Sequence, residues 1–152
     1  MSFECEFVDR EEQPTLAIRT HTPVEGLSKL IGASYSKILQ FMQSLGEQFA
    51  GEPFVVYHNL DMQNLDVELG FPVLKELPGS GDIHPGKVTA GKYGVCHYTG
   101  AYENMAPAYD ALNNMIKENG FEPTGIAYEY YLNGPQTAAP EELKTRIEFP
   151  LK

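Results

Sequence analysis

The stretch "GFEPTGIAY", Gly120–Tyr128, reads as a second version of "GEPFVVY", Gly51–Tyr57, each setting Glu-Pro between a helix-stopping glycine and a run of strand formers. The surroundings of the two stretches recur as well. Ahead of the first, "PTLAIRTHT" (Pro14–Thr22) alternates as a strand. Ile31, Tyr35, Ile38, Met42, Leu45 and Phe49 then recur at three and four residues, a helical stripe that predicts a helix running to Gly51. "PFVVYHN" and "LDVELGFPV" (Leu65–Val73) follow as strands, the second ending at Pro72. Ahead of the later copy, "KYGVCHYTG" (Lys92–Gly100) is a strand, and Met105, Ala108, Leu112, Met115 and Ile116 mark a helix closed by Gly120. "TGIAYEYYL" and "LKTRIEFPL" complete the second set, with "EFPL" at Glu148–Leu151 echoing "GFPV" at Gly70–Val73.

Strand, helix, strand, strand therefore occurs twice. The expected fold class is α+β: two pseudo-symmetric strand-helix-strand-strand modules, each an antiparallel sheet with one long helix, within a single domain over residues 1–152. Module one spans about 1–76, the Gly- and Pro-dense "LPGSGDIHPG" (Leu77–Gly86) is a linker, and module two spans about 87–152. One helix covers one face of three strands and leaves the other partly bare. The modules are thus expected to enclose an inter-lobe cleft lined by the faces their helices do not cover, the kind of place where small-molecule pockets concentrate.

Composition excludes several functions. Lys+Arg 11 against Asp+Glu 21 gives a net charge of -10, with no basic run, which opposes binding to nucleic acid or to anionic membrane surfaces. The start, Met1-Ser2-Phe3-Glu4-Cys5-Glu6, has neither the positive nor the apolar segment of a leader, and no stretch reaches membrane-spanning length, so a cytoplasmic location is expected. Cys5 and Cys96 lack C-x-x-C spacing and read as reduced, isolated thiols. His21, His58 and His84 share no metal-ligand spacing, and neither a metal nor a cofactor is expected.

Within "GIAYEYYLNGP" (Gly125–Pro135) one carboxylate interrupts an apolar and aromatic strand. Period 2 puts Ile126, Tyr128, Tyr130 and Leu132 on one face and Ala127, Glu129 and Tyr131 on the other. Glu129 thus lies beside a phenol rather than beside other charges. With Tyr131 it is expected to line the cleft, joined by Tyr57, Phe71 and Tyr98; each of these last three has a plain alternative as a core aromatic. His97 reads as a structural hydrogen-bonding residue, and Asp66 with Glu68 as a solvated strand face.

The order of elements, "HYTGAY" (His97–Tyr102), "YEYYLNGP" (Tyr128–Pro135) and "APEELKTRIEFPLK" (Ala139–Lys152) together resemble the GyrI-like small-molecule-binding domain, a family that includes the effector-binding domains of AraC-type and MerR-type regulators. The resemblance covers essentially the whole chain. It implies a cleft that accepts aromatic and often cationic compounds and a pocket glutamate at Glu129. Only about a dozen residues precede the first convincing strand, leaving none to read DNA, so a stand-alone form is expected. In the family that form covers sequestering or sensing proteins, gyrase-interacting proteins, and hydrolases of cyclopropane-bearing genotoxins. With no Trp, any aromatic box must come from 9 Tyr and 8 Phe.

Two function classes follow. The first is a binding module for aromatic, hydrophobic or cationic small molecules, with a regulator or gyrase as the protein partner the family suggests. The second is a hydrolase in which Glu129 activates water and a tyrosine such as Tyr131 orients the ligand. Ser-His-Asp and Cys-His sets are not visible. Binding is favoured, because catalysis needs a second chemical role that these residues do not supply.

Overall fold

The computed structural model describes residues 3–152; Met1 and Ser2, which open the stretch read above for a leader, lie outside the described residues. The described residues form eight strands and two α-helices: β1 Glu4–Arg10, β2 Gln13–Thr22, α1 Val24–Leu45, β3 Phe54–Tyr57, β4 Leu65–Pro72, β5 His84–Val88, β6 Gly91–Thr99, α2 Ala106–Glu118, β7 Ala127–Tyr131 and β8 Lys144–Pro150. They fall into two compact units, a first over Glu11–Ala90 and a second made of the segment ending at Arg10 together with Gly91–Lys152. Every strand pairing within either unit is antiparallel, and the fold class is α+β.

In the first unit the strands lie in the order β3-β4-β2-β5. Helix α1 buries Ser34, Ile38 and Met42, and its apolar side packs on Leu16, Ile18, Phe71 and Val73. The helix stops at Gly46, earlier than the stripe predicts. Gly46 takes φ 69°, its N–H donates to Gln43 O, and the next N–H donates to Met42 O, an αL termination that favours glycine. Phe49 kept the stripe alive because it returns to the same core by another route, stacking on Phe71 at 4.1 Å.

The second unit has the order β1-β6-β8-β7. Helix α2 buries Ala108, Leu112 and Ile116 and closes before Gly120, which has φ 78°, as its sequence signals. Gly94 of β6 sets how closely the helix approaches: a Cβ there would come within 2.8 Å of the Ile116 side chain and 3.2 Å of that of Leu112.

Two strands escaped the sequence reading. In β1, "ECEFVDR", hydrophobic and charged residues alternate only loosely, yet all seven pair with β6. The stretch read as a linker carries a Ser80–Ile83 bridge and then β5, an edge strand whose Pro85 is tolerated there.

Candidate functional site

The face of the second unit's sheet that α2 covers can be followed strand by strand from Gly94. Gly94 opposes Phe149, and two residues on, Cys96 opposes Ile147, which in turn opposes Glu129. Directly opposed residues share a face, so Glu129 and Tyr131 point to the α2 side. Tyr109 of α2 confirms this by donating its hydroxyl to Glu129 Oε2. This overturns the expectation that the site residues lie on faces the helices leave bare. A 13-residue helix packing mainly on β6 covers only part of a four-stranded sheet, so β7 shares the helix side without being filled by its apolar stripe.

Glu129 is 9% exposed. Its Oε1 accepts the Tyr131 hydroxyl at 2.9 Å and its Oε2 that of Tyr109. Burial raises its pKa above the ordinary carboxylate value, and the two phenol hydrogen bonds work the other way. Tyr102, in the 3₁₀ turn Tyr102–Asn104, sets its ring edge-on to Tyr131 at 5.7 Å. The Tyr102 hydroxyl is pushed up first by burial and then by the negative charge of Glu129. Among the described residues no Lys, Arg or His pairs with Glu129. The result is a carboxylate held, among the described residues, by phenols rather than by a cation.

The opposite face of the same sheet holds a second buried acid that the sequence reading missed. Glu148 is 2% exposed and is fully neutralised: Arg10 donates to it from Nε at 3.2 Å and Nη2 at 2.8 Å, and Arg146 from Nε at 2.7 Å. The Arg146 guanidinium also lies 4.4 Å from the Tyr130 ring centroid. The "RIE" spacing in β8 places Arg146 and Glu148 on one face and was the available signal.

Of the other residues singled out, Phe71 lies in the first unit's core between Phe49 and Tyr35, and Tyr98 is buried with its hydroxyl donating to Ala101 O at 2.6 Å, fixing the turn after β6. Tyr57 is half-buried at the end of β3. Asp66 and Glu68 each hold a basic partner, Arg19 and His58, and His97 holds Glu6 at 2.9 Å. Tyr109 and Tyr102 were not anticipated. Tyr109 sits on a helix, where its reach to β7 depends on packing that no local pattern encodes. No group of three or more metal-ligating side chains occurs among the described residues, and no helix there is long and apolar enough to cross a membrane.

Residues 3–152 match the GyrI-like small molecule binding domain, and the chain belongs to that family. Among solved structures, the chain is similar to EcmrR in an EcmrR–DNA complex, with TM-score 0.86 and 22% identity over 99% of this chain; it spans 57% of that longer chain. Against the EcmrR C-terminal domain the TM-score is 0.83 at 22% identity, covering 100% of this chain and 99% of the other. SAV2435 bound to tetraphenylphosphonium is similar with TM-score 0.68 and 13% identity, covering 100% and 94%. At these identities the likeness is one of fold. No curated protein matches the sequence.

Proposed function

We propose that this protein binds aromatic or hydrophobic cations, with Glu129 receiving the charge and Tyr109, Tyr131 and Tyr102 forming the aromatic wall around it. The observation that carries the proposal is the buried carboxylate partnered only by phenols among the described residues. A buried charge is ordinarily paired, as Glu148 is, and a ligand cation supplies the missing partner while the ring faces add cation-π attraction of about 0.5–2 kcal/mol each. Family membership supports a small molecule as the occupant, and the tetraphenylphosphonium of the SAV2435 structure supplies a probe of the right chemistry. The residues named for the site all belong to the second unit, and Phe71 and Tyr98 are assigned to packing.

Calorimetry with tetraphenylphosphonium and with neutral triphenylphosphine oxide tests the reading. Glu129→Gln should weaken the cation by on the order of 2 kcal/mol, roughly thirtyfold, and leave the neutral compound nearly unchanged. Cation affinity should also rise with pH as Glu129 ionises, because its pKa lies above the ordinary value. Equal loss for both ligands, or none for either, would refute the role.

A second reading, hydrolysis of a reactive strained-ring compound with Glu129 drawing a proton from water, rests on the same raised pKa beside a phenol. It predicts turnover detectable by mass spectrometry that Glu129→Gln abolishes while neutral-ligand binding persists.

A further inference from the structure

The two cysteines are 91 positions apart in sequence and face each other in the sheet: Cys5 of β1 is the direct cross-strand partner of Cys96 of β6. Both are free thiols, Cys5 half-buried and Cys96 fully buried. Directly opposed residues on antiparallel strands have Cα atoms about 4.5–5.5 Å apart and Cβ atoms about 4.5–5.5 Å apart. A disulfide needs Cα atoms about 4.4–6.8 Å apart and Cβ atoms about 3.5–4.5 Å apart. The backbone is therefore already in place, and closing the bond asks for an approach of under about 1 Å at the Cβ atoms. We infer that Cys5 and Cys96 form a reversible cross-strand disulfide that staples β1 to β6.

The location gives the bond a structural consequence. Between the two cysteines the chain leaves the second unit at Arg10, builds the whole first unit over Glu11–Ala90, and returns at Gly91. The disulfide joins the outgoing strand to the returning one and closes a loop that contains the first unit. Long loops are those whose closure removes most freedom from the unfolded chain. The Cβ approach stores strain, which raises the reduction potential and places the bond with labile, reversible disulfides rather than permanent ones.

Thiol–disulfide exchange with a small disulfide such as oxidised glutathione balances the chemistry. The Cys5 thiolate attacks one glutathione sulfur, the glutathione S–S bond breaks, and one glutathione thiolate leaves. Cys96 then loses its proton and attacks the Cys5 sulfur; the protein S–S bond forms and the second glutathione departs, taking up the proton. Two protein thiols are oxidised and one disulfide is reduced to two thiols. Burial, followed by the neighbouring Cys5 thiol, pushes the Cys96 thiol up to about 12. That assigns the first attack to the more accessible Cys5 and makes the second step the slow one.

The test uses the full chain held in oxidised glutathione, then alkylated, digested and analysed by mass spectrometry. A peptide pair linked through Cys5 and Cys96, a loss of about 2 Da, and reversal by dithiothreitol are expected. Thermal melts without reductant should show the oxidised form unfolding about 5 °C or more above the reduced form. Cys5→Ser should abolish that difference while folding normally, since its site is half-exposed. Two alkylated cysteines after prolonged oxidation, a glutathione adduct on Cys5 that never resolves, or a disulfide-linked dimer would each overturn the inference.

Discussion

Glu129 in the second unit holds the register position that Val55 holds in the first. In the second unit Glu129 opposes Ile147, which opposes Cys96; in the first, Val55 opposes Leu69, which opposes Ile18. Two residues further along each strand comes a tyrosine, Tyr131 or Tyr57. A helix tyrosine meets the phenylalanine of the next strand in both units, Tyr109 against Phe149 at 5.5 Å and Tyr35 against Phe71 at 5.1 Å, with the rings at 57° in each pair. The hydroxyls then part ways: Tyr35 donates to Phe54 O at 2.8 Å, and Tyr109 donates to Glu129. The first unit folds with an aliphatic residue at this position, so the architecture does not require an acid there. The proposed binding of a cation gives this acid a role that folding does not.

If Glu129 differs from a structural acid, the two buried acids of the second unit should respond differently to loss of charge. Glu148, bound by two guanidinium groups, is the control. Glu148→Gln removes the buried negative charge that Arg10 and Arg146 share, and the protein should lose about 3 kcal/mol of stability in urea unfolding. That figure sits at the low end for a broken buried pair because Arg10 is 36% exposed and can turn to water. Ligand affinity at Glu129 should be unchanged. A destabilisation under 1 kcal/mol would mean that Glu148 is no more structural than Glu129.

Replacing Glu129 with its first-unit counterpart, Glu129→Val, should give an effect whose sign depends on pH. The folded-state pKa of Glu129 is raised, so the folded protein holds its proton more tightly than the unfolded chain does. Its stabilising contribution is complete below the unfolded value near 4.5 and is lost as pH rises through the folded value. The valine variant lacks that loss. At low pH it should be less stable than wild type by about 1 kcal/mol for the hydrogen bonds given up, and the difference should shrink and then reverse toward neutral and alkaline pH. Melting curves from pH 4 to pH 9 decide it, and a difference independent of pH would remove the electrostatic account.

Much of this contrast was legible in the chain itself. Alternation, helical stripes and their Gly and Pro stops located six of the eight strands among the described residues and both helices, because those elements carry strong periodicity between clear ends. β1 and β5 were not legible: each is a strand whose evidence lies in its partner, β1 finding β6 more than eighty residues away and β5 lying on the edge beside β2. The pairing of Glu129 with Tyr131 followed from strand period alone, and their hydrogen bond fits it. Period 2 separates two faces without saying which one a helix covers, and that is why the bare-face expectation failed. Tyr109 and the Arg10–Glu148 pair join residues 20 and 138 apart, contacts that only tertiary packing creates.

The smallest effects should come from the two helix tyrosines. Tyr35→Phe deletes a hydroxyl bonded to a neutral backbone carbonyl, so it should cost about 1 kcal/mol at every pH. Tyr109→Phe deletes a hydroxyl that favours the charged form of Glu129, and without it the Glu129 pKa should move further up. Its cost should be slight in acid, where Glu129 is protonated, and grow toward about 1 kcal/mol as the carboxylate is forced to ionise. Measuring both variants at pH 4.5 and pH 8 reads the distinction directly. A flat profile for Tyr35→Phe beside a rising one for Tyr109→Phe would show that the same packed tyrosine serves structure in one unit and the charge of Glu129 in the other; parallel profiles would erase the difference between them.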